Sequence, residues 1–170
     1  YSKLTIKAII RETADFKTFV FEDDHGIRYE AGQFLTIVQM INGEEVRRSY
    51  SITTAPALEE PLSIGIKRIG NGLFSRTVFD KAQQGDVWWT TGAAGFFCLP
   101  KMEFTYNSIF FFAAGSGITP IFSLLKTVLQ VHPQVKIVLV YSNHDQVSTI
   151  FFNALKMLQQ SHPKQLIIEF

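Results

Sequence analysis

The 170-residue chain is 46% apolar and 14% aromatic, which excludes an intrinsically disordered protein and is enough to build a hydrophobic core. Sixteen Lys and Arg against fifteen Asp and Glu give a net charge of +1, which is not typical of a nucleic-acid-binding protein. The single cysteine, Cys98, excludes an internal disulfide, a Cys-based zinc site and a four-cysteine iron–sulfur cluster within this chain. No histidine pair has metal-ligand spacing, so we predict no metal site.

The chain begins without a signal-peptide pattern, and its longest apolar run, residues 109–114, is far too short to span a membrane. We therefore expect a cytoplasmic protein that binds neither a membrane nor a nucleic acid. The first residue is not Met, so we expect a piece of a longer protein.

The first hundred residues contain short apolar or alternating segments that are separated by turn residues. Asn42-Gly43 favours a two-residue type I′ turn, so the strands on either side of it must pair antiparallel. Six such strands at this spacing predict a six-stranded antiparallel Greek-key β-barrel over residues 1–100. The predicted strands are 4–11, 16–22, 34–41, 46–52, 62–69 and 86–91, with a short helix at 73–82.

After Pro100 the pattern changes to continuous apolar strands that alternate with helices, following a polar linker at 101–107. Thr119 and Pro120 suit the N-cap and first position of a helix. The order βαβαβ predicts a parallel sheet with right-handed crossovers over residues 108–170. The predicted elements are strands 108–113, 135–141 and 165–170, one helix with its N-cap at 119 and a second helix at 147–160. The residues expected in the core are Phe110, Phe111, Phe112, Phe151 and Phe152.

The segment from Arg47 to Thr53 combines a cation and an aromatic ring in one predicted strand. Side chains alternate along a strand, so Arg48 and Tyr50 share one face while Ser49 and Ser51 share the other. A guanidinium binds phosphate oxygens and a phenol ring stacks on a heteroaromatic ring, which suits a flavin nucleotide. The alternative is a solvated edge strand with a half-buried tyrosine.

Two glycine-containing turns precede predicted helices and offer free backbone amides to an anion. The turn Gly115-Ser116-Gly117 follows a buried strand, where it can receive the pyrophosphate of a dinucleotide or simply let the chain reverse. The second lies between the strand end Ile66-Lys67 and the helix start at Leu73, with Gly72 and Ser75 on either side of that start. It too suits a phosphate, and the alternative is an ordinary strand–turn–helix with exposed basic residues.

The tetrapeptide Arg48-Ser49-Tyr50-Ser51 resembles the flavin-binding motif of the ferredoxin–NADP reductase superfamily. Five segments occur in the order of that family over residues 30–155, and the sequence is most similar to the NAD(P)H-dependent reductase component of phenylacetate-degradation (phenylacetyl-CoA epoxidase) systems. The resemblance implies an FAD-binding barrel over residues 1–100. It implies a linker at 101–107 and the first half of an NAD(P)-binding α/β domain at 108–170.

The resemblance also implies roles for individual residues. Arg48 would hold the flavin pyrophosphate, Tyr50 would stack on the isoalloxazine, and Ser51 would hydrogen-bond near N5. The segment Gly115–Thr119 would seat the nicotinamide nucleotide, with Thr119 at the contact between nicotinamide and flavin. Ser51 and Thr119 are therefore the expected catalytic residues.

Further cofactor contacts are implied by the second glycine turn, with Lys67 on the strand and Gly72 and Ser75 at the pyrophosphate. The choice between NADH and NADPH stays open, because Tyr141-Ser142-Asn143-His144 stands where the family commonly has Tyr-Gly-Asn-Arg. The complete expected cofactor-binding set is Arg48, Ser49, Tyr50, Ser51, Ile66, Lys67, Gly72, Leu73, Ser75, Gly115, Ser116, Gly117, Thr119 and Pro120.

We therefore expect an FAD-dependent NAD(P)H oxidoreductase that passes electrons to an iron–sulfur, ferredoxin-type acceptor and serves an oxygenase such as phenylacetyl-CoA epoxidase. The chain ends at Phe170, where the family continues, so we expect a truncated chain with little NAD(P)H turnover. A 2Fe-2S cluster is expected only in a missing C-terminal domain or a separate partner. The alternative is a non-catalytic β-barrel module that binds a protein partner or presents Tyr50, Lys67 and Arg68 to single-stranded nucleic acid.

Overall fold

The structure is a computed structural model that describes residues 1–100 and 106–170. Its first part contains six strands and one α-helix, as the alternating sequence pattern predicts. Strand β6 begins one residue after its predicted start. It ends three residues after its predicted end, because Ala93 and Ala94 still pair with Leu35 and Phe34. The elements are β1 (Ser2–Arg11), β2 (Phe16–Phe21), β3 (Phe34–Ile41), β4 (Glu44–Ser51), β5 (Ser63–Lys67), helix α1 (Leu73–Lys81) and β6 (Val87–Ala94).

The six strands form one curled antiparallel sheet in the order β4-β3-β6-β1-β2-β5. The two edge strands approach each other, and the chain after β4 forms an isolated bridge between Ile52 and Ile64. The sheet is therefore a nearly closed barrel, and the predicted six-stranded antiparallel fold is confirmed.

The hairpin of β3 and β4 sets the orientation of the Arg-Ser-Tyr-Ser segment. Asn42 and Gly43 have φ values of 54° and 82°, the pair of positive angles that a type I′ turn requires. The resulting register places Arg48 opposite Ile37 and Tyr50 opposite Leu35.

Alternate residues of β1, β3 and β6 fill much of the barrel interior, which is the period-2 pattern of a half-buried sheet. Trp88 packs there against Phe19 and Phe21, with ring centroids 4.9 and 6.0 Å apart. The fully buried residues in this core are Leu4, Phe19, Phe21, Leu35, Ile37, Ile52, Ile64 and Ile66.

The second part is a three-stranded parallel sheet in the order β7-β8-β9, with helices between the strands. This confirms the predicted βαβαβ arrangement. The division of the chain near residue 100 stays a prediction, and residues 101–105 of the predicted linker lie outside the described residues. The elements are β7 (Ser108–Ala114), α2 (Ile118–Val131), β8 (Lys136–Ser142), α3 (Phe152–Ser161) and β9 (Leu166–Glu169).

Both helices of this part begin at different residues from those predicted. A 3₁₀ turn at Gly115–Gly117 runs directly into α2, so Thr119 lies in the first turn of the helix and is not its N-cap. Helix α3 begins at Phe152, five residues later than predicted. Phe151 has a left-handed φ of 61°, which a continuous right-handed helix cannot contain.

The prediction that Phe110 and Phe112 are core residues is wrong. Successive residues of a strand point to opposite faces, and only Phe111, at 8% exposure, faces α2 and the core. Phe110 and Phe112 are 61% and 73% exposed on the other face of the sheet. Phe151 is buried as predicted, whereas Phe152 is half-buried against Phe170.

Within the described ranges, no helix combines the length and the apolar character needed to cross a bilayer. Those ranges also contain no cluster of three or more His, Cys, Asp or Glu side chains that could bind a metal ion.

Candidate functional site

A cleft of about 520 Å³ opens where the end of β4, strand β5 and the starts of α1 and α2 meet. Most of its lining comes from the barrel, and Ser116 and Thr119 come from the second part of the chain. The predicted site residues that line the cleft are Arg48, Ser49, Tyr50, Ser51, Lys67, Gly72, Leu73, Ser75, Ser116 and Thr119.

The remaining predicted residues lie beside the cleft. The side chain of Ile66 is fully buried in the barrel core and does not line the cleft. Gly115, Gly117 and Pro120 belong to the turn and first helical residues around Ser116 and do not line the cleft.

Sequence reasoning missed several lining residues that are apolar or lack a side chain. Gly65 was detectable, because an isolated glycine inside a strand indicates close approach of another part of the molecule. The others carry no such signal, since an apolar residue at the rim of a cleft has the same sequence pattern as a core residue. The missed residues are Phe16, Val46, Gly65, Ile69 and Phe74.

Arg48 and Tyr50 share one face of β4, as the strand alternation predicts. On the other face, the Ser49 hydroxyl is hydrogen-bonded to the Thr36 hydroxyl at 2.9 Å. The exposed Arg48 side chain donates to the Arg47 carbonyl oxygen at 2.7 Å and, in the described part of the chain, has no carboxylate partner. Its positive charge is therefore available to an anion in the cleft.

Tyr50 presents a half-buried ring between the barrel and the cleft. Its ring centroid is 5.9 Å from that of Phe74, the second residue of α1, at an interplanar angle of 35°. Burial raises the pKa of Tyr50 to about 12, although the neighbouring Arg48 cation lowers it in part. The phenol is therefore neutral at physiological pH and presents a flat apolar surface.

The start of α1 is shaped to leave its backbone amides open. No side chain caps this helix, and the Ser75 hydroxyl instead accepts a hydrogen bond from the Ile69 amide at 3.3 Å. A Cβ atom on Gly72 would lie 2.7 Å from the Ser75 hydroxyl oxygen, so a larger residue would displace this turn. Uncapped amides and the positive end of the helix dipole favour an anion at this point.

The two basic residues at the end of β5 are engaged with carboxylates. The Lys67 ammonium lies 3.4 Å from an Asp15 oxygen. The Arg68 guanidinium donates to both oxygens of Asp80 at 2.9 Å, and this contact lowers the pKa of Asp80. Arg68 does not line the cleft, whereas Lys67 lines it with its charge partly offset.

The start of α2 forms the opposite wall. The Thr119 hydroxyl donates to the Ser116 carbonyl oxygen at 2.6 Å, which closes the 3₁₀ turn against the helix. From the sheet side, the hydroxyl of the buried Tyr141 donates to the Gly115 carbonyl oxygen at 2.9 Å. The turn is therefore held from both directions.

These features fit a flavin nucleotide. The cleft combines a neutral aromatic face at Tyr50, a cation at Arg48 and open amides at the start of α1, which match a planar ring and a pyrophosphate. The second part of the chain meets the same cleft through Ser116 and Thr119.

Comparison with known proteins agrees with this geometry. Residues 3–98 match the family described as "Oxidoreductase FAD-binding domain", and residues 111–169 match "Oxidoreductase NAD-binding domain". The chain is 33% identical over 170 residues to the ferredoxin reductase component of 3-ketosteroid-9-alpha-monooxygenase from Rhodococcus rhodochrous, covering 97% of this chain and 47% of that protein. It is also 33% identical over 173 residues to a component of 1,2-phenylacetyl-CoA epoxidase from Escherichia coli (strain K12), covering 98% of this chain and 48% of that protein.

Among solved structures, ferredoxin-NADP+ reductase from Plasmodium falciparum superimposes with a TM-score of 0.84 at 24% identity, covering 98% of this chain and 71% of that one. The family matches identify FAD- and NAD-binding oxidoreductase domains, and their fold is that of ferredoxin-NADP+ reductase. The chain belongs to the oxidoreductase FAD-binding domain family, and its residues 111–169 match the oxidoreductase NAD-binding domain. It spans about half the length of the curated relatives it matches.

Proposed function

We propose that this chain is the flavin-binding part of an NAD(P)H oxidoreductase that delivers electrons to an iron–sulfur, ferredoxin-type acceptor of an oxygenase. Residues 1–100 form the flavin-binding unit in this proposal, and residues 108–170 form the beginning of the NAD(P)-binding unit. The observation that supports it most directly is that Arg48 and Tyr50 line the same cleft as Ser116 and Thr119. Bound FAD would supply the chemistry, accepting a hydride from the nicotinamide and releasing electrons singly.

The side chains of the barrel hold and orient the flavin in this proposal. Arg48 binds the pyrophosphate together with the open amides at the start of α1 near Gly72, and Tyr50 stacks on the isoalloxazine. Ser51, the last residue of β4, is half-buried and lines the same cleft, where it hydrogen-bonds at the N5 edge.

The start of α2 positions the nicotinamide in this proposal. Thr119 is 4% exposed, and its hydroxyl is already committed to the Ser116 carbonyl oxygen. Thr119 therefore acts by fixing the turn and presenting its methyl group to the cleft, while the backbone of Gly115–Gly117 meets the dinucleotide phosphates.

The proposed acceptor and oxygenase come from the relatives' own names. Both curated relatives named above are parts of oxygenase or epoxidase systems, and one is called a ferredoxin reductase component. A non-catalytic nucleic-acid-binding barrel has less support, because Lys67 and Arg68 are already paired with the carboxylates of Asp15 and Asp80. They therefore do not present free positive charges to a nucleic acid.

Flavin uptake tests the proposal directly. We expect the purified protein to show a flavin spectrum, or the apoprotein to bind added FAD near one equivalent and more tightly than FMN, which lacks the second phosphate. A colourless protein that takes up no FAD would contradict the proposal, and salt-dependent oligonucleotide binding by that protein would favour the barrel module.

The adjacent arginines of β4 provide a matched pair for the phosphate role. Arg48→Ala should weaken FAD binding by about 1.5–3 kcal/mol, or roughly ten- to 150-fold in Kd, since it removes a charge-assisted hydrogen bond. Arg47→Ala is the control, because Arg47 lies on the opposite face and pairs with Glu45 at 2.7 Å. Equal FAD affinity of both variants, measured by fluorescence titration, would refute the assigned role of Arg48.

A further inference from the structure

Helix α2 carries three buried polar side chains on one face, at Thr119, Ser123 and Lys126. They are 4%, 0% and 7% exposed, and their spacing of four and then three residues places them in one row along the helix. Buried polar groups need hydrogen-bond partners, whereas the rest of the buried surface of this helix is apolar. We refer to these three residues as the polar face of α2.

Two members of the polar face bind the barrel segment that follows β4. The Ser123 hydroxyl donates to the Thr54 carbonyl oxygen at 2.5 Å. The Lys126 ammonium donates to a Glu60 carboxylate oxygen at 2.5 Å, and that same oxygen accepts the Ala55 amide at 2.8 Å. One carboxylate therefore joins the helix to the backbone of the barrel segment.

The remaining member, Thr119, packs directly on β5. A Cβ atom built on Gly65 would lie 3.0 Å from the Thr119 methyl carbon and 2.3 Å from the ring of Phe16. The helix therefore approaches the barrel at a point where only a glycine fits.

The barrel segment in contact with α2 is itself fixed close to the cleft. Thr54 lies three residues after Ser51 in the chain. The Thr53 amide donates to the Ser63 carbonyl oxygen at 2.9 Å, and the Ser63 amide donates to the Thr54 hydroxyl at 3.2 Å. Short, hydrogen-bonded backbone thus connects the end of β4 to the residues that contact Ser123.

We propose that Ser123 and Lys126 are positioning residues that set the placement of the nicotinamide turn over the flavin strand, an inference that rests on the proposed function. Apolar contacts alone allow a helix to slide, while the bonds to Thr54 and Glu60 have defined partners and distances. Ser123 is one helical turn from Thr119, which lines the cleft. The bonds that fix Ser123 and Lys126 on the barrel therefore also fix the position of Thr119 in the cleft. Displacements of about 1 Å at a reacting centre cost on the order of 10²-fold in rate.

Hydrogen exchange of the FAD-loaded protein tests whether the contact exists. Lys126→Met and Ser123→Ala should speed amide exchange over residues 53–62. The first removes the ammonium that holds the Glu60 carboxylate beside the Ala55 amide, and the second removes the hydroxyl that holds the Thr54 carbonyl oxygen. Exchange in β6 should not change. Lys126→Arg, which keeps the cation, should restore slow exchange, and unchanged exchange in both loss variants would overturn the proposal.

Single-turnover reduction of the flavin by NADPH or NADH tests the positioning role. We expect Lys126→Met to lower the limiting rate about tenfold, with the Kd values of FAD and the dinucleotide unchanged within about twofold, and Lys126→Arg to recover the rate. Leu155→Ala is the stability control, since Leu155 of α3 is fully buried in the core and is not part of the polar face.

Two outcomes distinguish failure of the positioning role from failure of the proposed function. A Leu155→Ala rate as low as that of Lys126→Met would overturn the positioning role, because general destabilisation would then explain both. A parent protein that takes up no FAD would overturn the proposed function and the positioning role with it, and the exchange comparison on that apoprotein would still decide whether the polar face orders residues 53–62.

Discussion

Tyr50 shows how a single side chain is prepared for a planar ligand. Its register opposite Leu35 turns the ring toward the barrel core, and Phe74 of α1 supports it from the side. Partial burial removes water from the phenol and disfavours its ionised form, while Arg48 only partly compensates. The result is a ring that stays neutral beside a permanent cation.

A pH titration checks this environment at Tyr50. The folded-state pKa is about 12 against an ordinary value of 10. The stabilisation from the neutral phenol is therefore fully present below pH 10 and is lost as the pH rises toward 12. The tyrosinate absorbance of the apoprotein minus that of Tyr50→Phe should titrate with a midpoint near 12, and a midpoint near 10 would show that the ring is solvated.

At the level of elements, the described residues cover the parallel sheet on one face only. Phe111 faces α2, and the sheet positions on the other face include the exposed Phe110, Phe112, Val140 and Ile167. The packing of the described chain therefore depends on alternate residues of a strand whose sequence is apolar throughout.

Alanine substitutions within β7 measure this difference. Phe111→Ala should lower the free energy of unfolding by about 3–5 kcal/mol, because it leaves a cavity in a close-packed core. Phe112→Ala is the matched control and should change it by less than about 1 kcal/mol, since that side chain is 73% exposed. Chemical denaturation of the apoprotein gives both values, and equal losses would mean that both faces are packed in solution.

In the whole molecule, the cofactor cleft is built unequally by the two parts of the chain. Residues 16–75 provide nearly all of its lining, and the second part contributes Ser116 and Thr119. Flavin binding should therefore depend mainly on the barrel, whereas dinucleotide binding depends on a parallel sheet of three strands.

This division predicts the behaviour of the 170-residue chain. We expect FAD binding to be retained and steady-state NAD(P)H oxidation to be slow, because the chain spans about half the length of the relatives it matches. Ferricyanide reduction monitors turnover, and chemical reduction of the bound flavin by dithionite is the control for an intact cofactor. Turnover at a rate typical of complete enzymes, with a kcat above about 10 s⁻¹, would contradict the prediction.

The sequence by itself determined the barrel strands, the βαβαβ order and the shared face of Arg48 and Tyr50. These features depend on local periodicity and on turn chemistry, as at Asn42-Gly43, where the two neighbouring residues alone select the turn. The cleft residues of the Arg-Ser-Tyr-Ser strand and of the α1 start were accessible for the same reason, since each motif is contiguous in the chain.

Only the tertiary structure decided how α2 contacts the barrel and which side of β7 is buried. Ser123 and Lys126 form an ordinary helical pattern, and their partners Thr54 and Glu60 lie more than sixty residues earlier in the chain. Likewise, the three consecutive phenylalanines of β7 are equally apolar, so nothing local separates Phe111 from its neighbours. Which side chains are buried and which hydrogen-bond partners they find depends on contacts between segments that are distant in the chain. Sequence periodicity is local and does not predict those contacts.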